Sequence, residues 1–162
     1  MKNEIERKYL VNSDQWRGLA ERSFDICQAY LANTTKSSIR VRLSDDRASI
    51  NIKSTHSLME RVEYDYEIPY FEGQNLVRTL CEGEPLYKTR HIVRYKSHLW
   101  EIDEFSGRNA GLIIAEIELG KASEIFEKPS WVGAEVTDFK RFYNHQLVIR
   151  PYLSWLPKER DI

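Results

Sequence analysis

The feature of this sequence that most constrains its fold is an alternation of charged and apolar side chains that recurs along almost the whole chain. Residues 60–68, Glu-Arg-Val-Glu-Tyr-Asp-Tyr-Glu-Ile, show it most clearly. A period of two places successive side chains on opposite faces of a β-strand. The same pattern predicts seven further strands, at residues 3–11, 27–31, 38–44, 48–54, 86–95, 99–105 and 112–119.

Short helices are predicted between and after these strands. A capping box at residues 12–15, followed by Trp16, Leu19 and Ala20, predicts a short amphipathic helix. The other helices are predicted at residues 72–82, 122–128 and 138–148. Eight strands with few helices and short connections predict an α+β fold, mainly antiparallel β, in which an eight-stranded sheet closes into a barrel covered by short helices.

Length and composition limit the class of protein further. A chain of 162 residues without a long Gly-, Ser- or Pro-rich linker predicts a single domain over residues 1–162. The 24 Lys and Arg residues nearly balance the 25 Asp and Glu residues, which argues against a nucleic-acid partner. The sequence shows neither a bilayer-spanning apolar run nor an apolar signal core near its N-terminus. We therefore expect a cytoplasmic protein without a membrane partner.

The polar faces of the predicted strands carry charges of one sign at positions i and i+2. Arg40 and Arg42 share a face of one strand, and Glu116 and Glu118 share a face of another. Such pairs repel each other unless a ligand of opposite sign lies between them. The basic residues are also largely Arg, whose guanidinium fork suits phosphate oxygens. A barrel with its apolar faces inside remains an alternative, but these observations favour a barrel whose charged faces line a wet interior.

The charged residues divide into a basic set and an acidic set. The basic set can neutralise a polyanion and comprises Lys8, Arg40, Arg42, Lys53, Lys88 and Arg90. The acidic set offers hard oxygen ligands and comprises Glu4, Glu6, Asp103, Glu116 and Glu118. Carboxylates favour Mg²⁺ or Mn²⁺, and Mg²⁺ commonly binds one or two carboxylates together with substrate phosphates. The two sets together predict phosphoryl transfer on a polyphosphate held between a basic wall and a metal-loaded acidic wall.

In the order and spacing of these residues the sequence resembles the CYTH superfamily, the triphosphate tunnel metalloenzymes, and in particular its bacterial single-domain members. The N-terminal E-x-E-x-K signature of the family is present as Glu4-Ile-Glu6-Arg-Lys8. Further family elements follow in the same order: Q-x-Y-L at Gln28 to Leu31, R-x-R at Arg40 and Arg42, the strand-end lysine at Lys53, R-x-E-x-E at Arg61, Glu63 and Asp65, K-x-R at Lys88 and Arg90, D-x-F at Asp103 to Phe105, E-x-E at Glu116 and Glu118, and a C-terminal stretch from Glu135-Val-Thr to Arg141 and Asn144.

The resemblance implies an eight-stranded antiparallel tunnel, dependence on Mg²⁺ or Mn²⁺, and hydrolysis of a triphosphate bond or, in some members, cyclisation of ATP. Two stretches depart from the family pattern. Asp65 stands where the family usually has a second glutamate, with Glu67 on the same strand face. Residues Phe139-Lys140-Arg141-Phe142 stand where the family often has D-x-R-Y.

Each residue of the two sets thereby receives a predicted role. Triphosphate binding is predicted for Lys8, Arg40, Arg42, Lys53, Arg61, Lys88 and Arg90, with Arg94 as a further candidate. Metal binding is predicted for Glu4, Glu6, Asp103, Glu116 and Glu118, with Glu63 and Asp65 as other tunnel carboxylates. Catalytic roles are predicted for Lys8, Glu6 and Tyr30, where Tyr30 and Lys8 would assist proton transfer. The histidines lack ligand spacing and are predicted to be structural or solvent-facing: His56, His91, His98 and His145.

The predicted function is hydrolysis of inorganic triphosphate by a metal-activated water, because nothing in the sequence resembles a dedicated adenine pocket. Two alternatives stay open. One is an enzyme acting on an organic triphosphate, either a hydrolase of a nucleoside or thiamine triphosphate or a cyclase similar to class IV adenylate cyclases. The other is a non-catalytic polyphosphate-binding module. The expected partner is a small molecule that contains a triphosphate, and a homodimer is left open.

Overall fold

The structure is a computed structural model that describes residues 2–54 and 60–160. Nine strands lie within these residues: β1 (Lys2–Val11), β2 (Ala20–Asn33), β3 (Ser37–Ser44), β4 (Arg47–Ser54), β5 (Glu60–Ile68), β6 (Glu82–Tyr95), β7 (His98–Phe105), β8 (Ile113–Glu118) and β9 (Val132–Glu135). The α-helices there are α1 (Tyr70–Thr79), α2 (Asn144–Ile149) and α3 (Pro157–Arg160). Single 3₁₀ turns lie at Arg17–Leu19, Gly107–Asn109, Lys140–Phe142 and Tyr152–Ser154.

Eight of these strands form a closed antiparallel barrel. Their order is β5-β4-β3-β2-β6-β7-β8-β1, and β1 closes the ring by pairing with β5, where Glu4 lies opposite Arg61. β9 adds to β1 outside the ring, with Glu135 opposite Tyr9. The predicted eight-stranded closed barrel is confirmed. In a ring of eight, β3 and β8 are four strands apart and therefore face each other across the interior.

The charged faces of the strands point into this barrel, as the sequence predicts. Cross-strand partners share a face, and the register pairs Lys8 with Glu116 and Arg90 with Asp103. All four residues are buried. Charged residues are almost never fully buried unless they are paired, so the barrel interior must satisfy them with one another or with a ligand.

An apolar cluster on the outside of the barrel replaces one predicted helix. Trp16 is fully buried in one cluster with Trp100 and Trp131. Its neighbours form only the 3₁₀ turn Arg17–Leu19, and β2 begins directly afterwards by pairing Ala20 with Val93. The helix predicted at residues 12–20 is therefore wrong, because strand pairing and the burial of Trp16 override the helical pattern. The helix predicted at 122–128 is also wrong, since the described residues 121–131 are turns and irregular chain.

A second apolar cluster fills one end of the barrel. Leu86 and Phe105 continue the inward faces of β6 and β7 beyond the charged positions, and they pack against Phe142, Leu147 and Trp155. The C-terminal segment thus covers this end of the interior. The single helix predicted at 138–148 is split here into a 3₁₀ turn and α2, because Tyr143 has an extended backbone between them.

Helix α1 covers part of the outer face of β3 and β4. It begins directly after Pro69, two residues before the predicted start. Gly73 allows a close approach, because a Cβ atom at that position would lie 2.5 Å from the Cβ of Ala48 and 2.8 Å from Cδ2 of Leu43. Among the described residues, no helix has the length and apolar character needed to cross a membrane.

Candidate active site

A cavity of about 750 Å³ lies inside the barrel. The structure brings all but three of the predicted site residues to its wall, namely Glu4, Glu6, Lys8, Tyr30, Arg40, Arg42, Lys53, Arg61, Glu63, Asp65, Arg90, Glu116 and Glu118. Lys88 and Asp103 have fully buried side chains that pair with each other behind Arg90. Arg94 is not brought to the cavity, since its half-exposed side chain pairs with Glu21.

Most cations of the cavity are already paired with a predicted metal ligand. The Lys53 ammonium lies 2.6 Å from Glu4, and Arg61 pairs with Glu6. The Lys8 ammonium lies 2.8 Å from Glu6 and also pairs with Glu116. These cations and carboxylates therefore neutralise each other.

Arg90 is the centre of the most buried part of this network. Its Nε and Nη2 donate to Asp103 at 2.7 Å each, and Nη2 also donates to Glu116 at 2.9 Å. Burial alone would lower the pKa of Arg90, but Asp103 and then Glu101 raise it well above its usual range. Arg90 is therefore held as a fixed cation in the cavity wall.

Arg40 and Arg42 differ from the other cations. Within the described residues, neither has a carboxylate at ion-pair distance, and the Nε atom of each is buried without a hydrogen-bond partner. Arg40, burial and Arg90 together lower the pKa of Arg42 to about 10. Buried donors without partners are rare in folded proteins. Their positive potential faces the acidic strand β8, and this region of the wall suits an anion with several oxygen acceptors.

The carboxylates Glu6 and Glu116 are held ionised by the neighbouring cations. Burial alone would raise the pKa of Glu6, but Lys8 and then Arg61 lower it to about 2. The pKa of Glu116 is well below its usual range, because Lys8 and Arg90 outweigh the effect of burial. Burial alone would lower the pKa of Lys8, and Glu116 and Glu6 raise it instead. At neutral pH all three groups are charged.

These shifts predict loss of stability in acid. A carboxylate with a depressed folded-state pKa stabilises the fold above its unfolded pKa of 4.5, and this contribution is lost as the pH falls towards about 2. For Glu6 alone the free energy of unfolding is expected to fall by on the order of 3 kcal/mol between pH 5 and pH 2. Urea unfolding followed by tryptophan fluorescence across this range measures the slope. Glu6→Gln is expected to flatten it, and an unchanged slope would contradict the assigned ion pairs.

The acidic wall has the donor chemistry of a site for a hard cation. The register places Glu6 directly opposite Glu118 and Glu101 directly opposite Glu116. Carboxylates in such positions repel each other unless a cation lies between them. Among the described residues, no three acidic, His or Cys side chains are yet gathered in a coordinating arrangement. The residues therefore fit a divalent ion by their chemistry, and holding one requires that the carboxylates move and exchange their Lys and Arg partners for it.

The C-terminal segment supplies cavity residues for which the sequence predicted no binding or catalytic role, and one of them is His145, which was predicted to be structural or solvent-facing. Tyr143, His145 and Gln146 line the cavity together with Lys140. Burial and Arg61 lower the pKa of His145. The family-like stretch that ends at Asn144 is the one sequence feature that points to this segment. It has no regular spacing of residues from which the side chains that enter the cavity could be predicted. His91 and His98 lie outside the cavity lining, and His56 lies outside the described residues.

The fold and the cavity define the class of this protein: a closed antiparallel barrel with a charged tunnel inside. The chain belongs to the CYTH family, since the CYTH domain model matches residues 2–146. It is 40% identical over 155 residues to an inorganic triphosphatase of Acetivibrio thermocellus, a match that covers 96% of this chain and 99% of that protein. It is 31% identical over 150 residues to an inorganic triphosphatase of Nitrosomonas europaea, covering 90% and 97%. A crystal structure of an inorganic triphosphatase superposes with a TM-score of 0.67 at 29% identity, covering 92% of this chain and 96% of that chain.

Proposed function

We propose that this protein is an inorganic triphosphatase that hydrolyses tripolyphosphate to pyrophosphate and phosphate inside the barrel. The observation that carries the proposal is the pair Arg40 and Arg42, two cavity arginines that have no carboxylate at ion-pair distance among the described residues. They face an acidic wall across a closed interior. A linear polyanion with many equivalent oxygens satisfies such a site, and the activity of the two relatives supports this substrate.

In this proposal the cavity cations bind and orient the triphosphate. Arg40 and Arg42 donate to its oxygens first, because they need not leave a carboxylate partner. Lys53, Arg61 and Arg90 add donors when their carboxylates are neutralised. A direct contact from Lys88 stays a prediction, since its ammonium is fully buried on Asp103. Phosphoryl transfer asks the protein mainly for this positioning and for charge neutralisation.

Glu4, Glu6, Glu116 and Glu118 would hold Mg²⁺ or Mn²⁺, with Asp103 supporting them from behind the wall. A divalent ion bound there supplies neutralisation of phosphate charge and activation of the attacking water. The carboxylates themselves orient that water and exclude other anions. Their charge also explains why we expect the acidic wall to repel the substrate in the absence of metal.

Lys8 and Tyr30 lie where they could act on the reacting phosphate. Both line the cavity, and the Tyr30 hydroxyl accepts a hydrogen bond of 3.3 Å from Nε2 of Gln28. Burial raises the pKa of Tyr30, so its hydroxyl keeps its proton at neutral pH. We propose that Tyr30 donates to a phosphate oxygen while Lys8 neutralises charge that develops on the leaving group.

Phosphate release from a panel of tripolyphosphate, ATP and thiamine triphosphate tests this function. With Mg²⁺ or Mn²⁺, tripolyphosphate is expected to be the best substrate, and excess EDTA is expected to abolish turnover. A higher kcat/KM for ATP or thiamine triphosphate would overturn the inorganic substrate. Tight binding of tripolyphosphate without any phosphate release, with either metal, would instead support a binding module.

A further inference from the structure

Tyr143 places an aromatic ring over two of the proposed substrate-binding cations. It lies in the extended link between the 3₁₀ turn Lys140–Phe142 and α2, and it is almost fully buried. The Lys8 ammonium lies 5.2 Å from the ring centroid, and the guanidinium carbon of Arg61 lies 5.3 Å from it. Both distances are within the range of cation–π attraction, which is stronger for desolvated cations.

The ring is tied to the backbone of Lys8 by a short chain of hydrogen bonds. The Tyr143 hydroxyl donates to the carbonyl oxygen of Thr137 at 2.8 Å. The backbone N–H of Lys8 donates to Oγ1 of Thr137 at 3.0 Å, and the N–H of Val136 donates to the carbonyl oxygen of Lys8 at 2.8 Å. The position of the ring is therefore fixed relative to the strand that carries Lys8.

We infer that Tyr143 is a positioning residue that holds Lys8 and Arg61 in the cavity while their carboxylate partners change. The inference rests on the proposed function. In the described state both cations share Glu6, which is also a proposed metal ligand. When Glu6 turns to a metal, the two cations lose that partner. The ring is uncharged and does not take part in this exchange, so it keeps both cations aimed at the substrate.

Kinetics of two variants test the role of the ring. Tyr143→Leu removes the ring and is expected to raise KM for tripolyphosphate about tenfold, while Tyr143→Phe keeps the buried ring, loses only the hydrogen bond to Thr137 and is expected to raise KM by a smaller factor. Phe139→Leu is the matched control, because Phe139 lies in the same segment with its side chain partly exposed and outside the cavity lining. A purely structural role would lower the active fraction, and hence kcat, at unchanged KM. That result, or a Phe variant as impaired as the Leu variant, would overturn the inference.

Chemical labelling tests the same inference without turnover. The Lys8 side chain is only 5% exposed, so reductive methylation with formaldehyde and borohydride should modify it slowly. Peptide mass mapping is expected to show faster methylation of Lys8 in Tyr143→Leu alone, relative to exposed Lys158 in the same chains. Equal Lys8 rates in all variants would overturn the inference. If the wild type releases no phosphate, the proposed function fails, and the labelling still decides whether Tyr143 positions Lys8.

Discussion

Arg42→Gln is expected to lower kcat/KM for tripolyphosphate about 100-fold, because a charge-assisted hydrogen bond contributes roughly 1.5 to 3 kcal/mol. The fold is expected to be at least as stable as that of the wild type. Arg40, burial and Arg90 lower the pKa of Arg42 to about 10, which means that the folded state disfavours its charge. Removing that charge relieves its repulsion with Arg40 and Arg90 in the free protein. It also removes a hydrogen-bond donor from the complex with tripolyphosphate. Steady-state kinetics and thermal melting measure the two effects separately.

Arg94→Gln is the matched control for this variant. It removes the same charge from the protein surface, where Arg94 pairs with Glu21 outside the cavity. We expect its kinetics to equal those of the wild type. Unchanged kinetics for Arg42→Gln would contradict a role of Arg42 in substrate binding. Equal losses in both variants would show that long-range attraction, and not a direct contact, explains the effect.

Glu118→Gln is expected to raise the Mg²⁺ concentration needed for half-maximal turnover about 100-fold. Loss of a residue that only supports a metal ligand weakens metal binding by about 10- to 100-fold, and we expect loss of a ligand itself to reach the upper value. Glu118 is exposed to the cavity and lies opposite Glu6. Its neutralisation removes a like charge, so the melting temperature is expected to stay within a few degrees of the wild type. A metal titration of phosphate release, followed by a titration of metal binding without substrate, measures the shift.

Glu67→Gln controls for the loss of a carboxylate on the tunnel face, because Glu67 is exposed beyond the lining of the described cavity. We expect it to leave the metal dependence unchanged. Glu116→Gln is a less direct test, since it also removes one buried carboxylate partner from Lys8, which keeps Glu6, and one from Arg90, which keeps Asp103, and is therefore expected to destabilise the fold as well. Wild-type metal dependence in Glu118→Gln would contradict the placement of metal on this wall.

All eight barrel strands could be predicted because alternation is local and survives any arrangement of the strands. The bounds of β5 were also predicted, but those of β2 and β6 were not. β2 and β6 are both 14 residues long, and the shift in their register between Gln28 and Tyr30 accommodates Gly83 and Pro85. Those two residues ordinarily end a strand, so the sequence predicts β6 four residues too short. Only pairing with β2 shows that the strand continues through them.

The candidate site divides in the same way. Charge alternation and the E-x-E-x-K signature were sufficient to predict the cavity lining from β1, β3, β4, β5 and β8, because inward-facing residues on a strand follow a period of two. The same signals assigned Lys88 and Asp103 to the site in the same way as Arg90. In the structure, however, these two side chains are fully buried and do not line the cavity. The signals also missed Tyr143, whose role depends on where an irregular segment crosses the barrel end.

The sequence by itself determined that this chain forms strands with a charged face and an apolar face, and that the residues of the charged faces suit a polyphosphate ligand. Tertiary structure decided which charges meet. The ring order sets β3 opposite β8, so that among the described residues Arg40 and Arg42 have no carboxylate at ion-pair distance, while Lys8, Lys53 and Arg61 each have at least one. Coulomb energy depends on the distance between charges, and that distance is fixed only when the barrel closes.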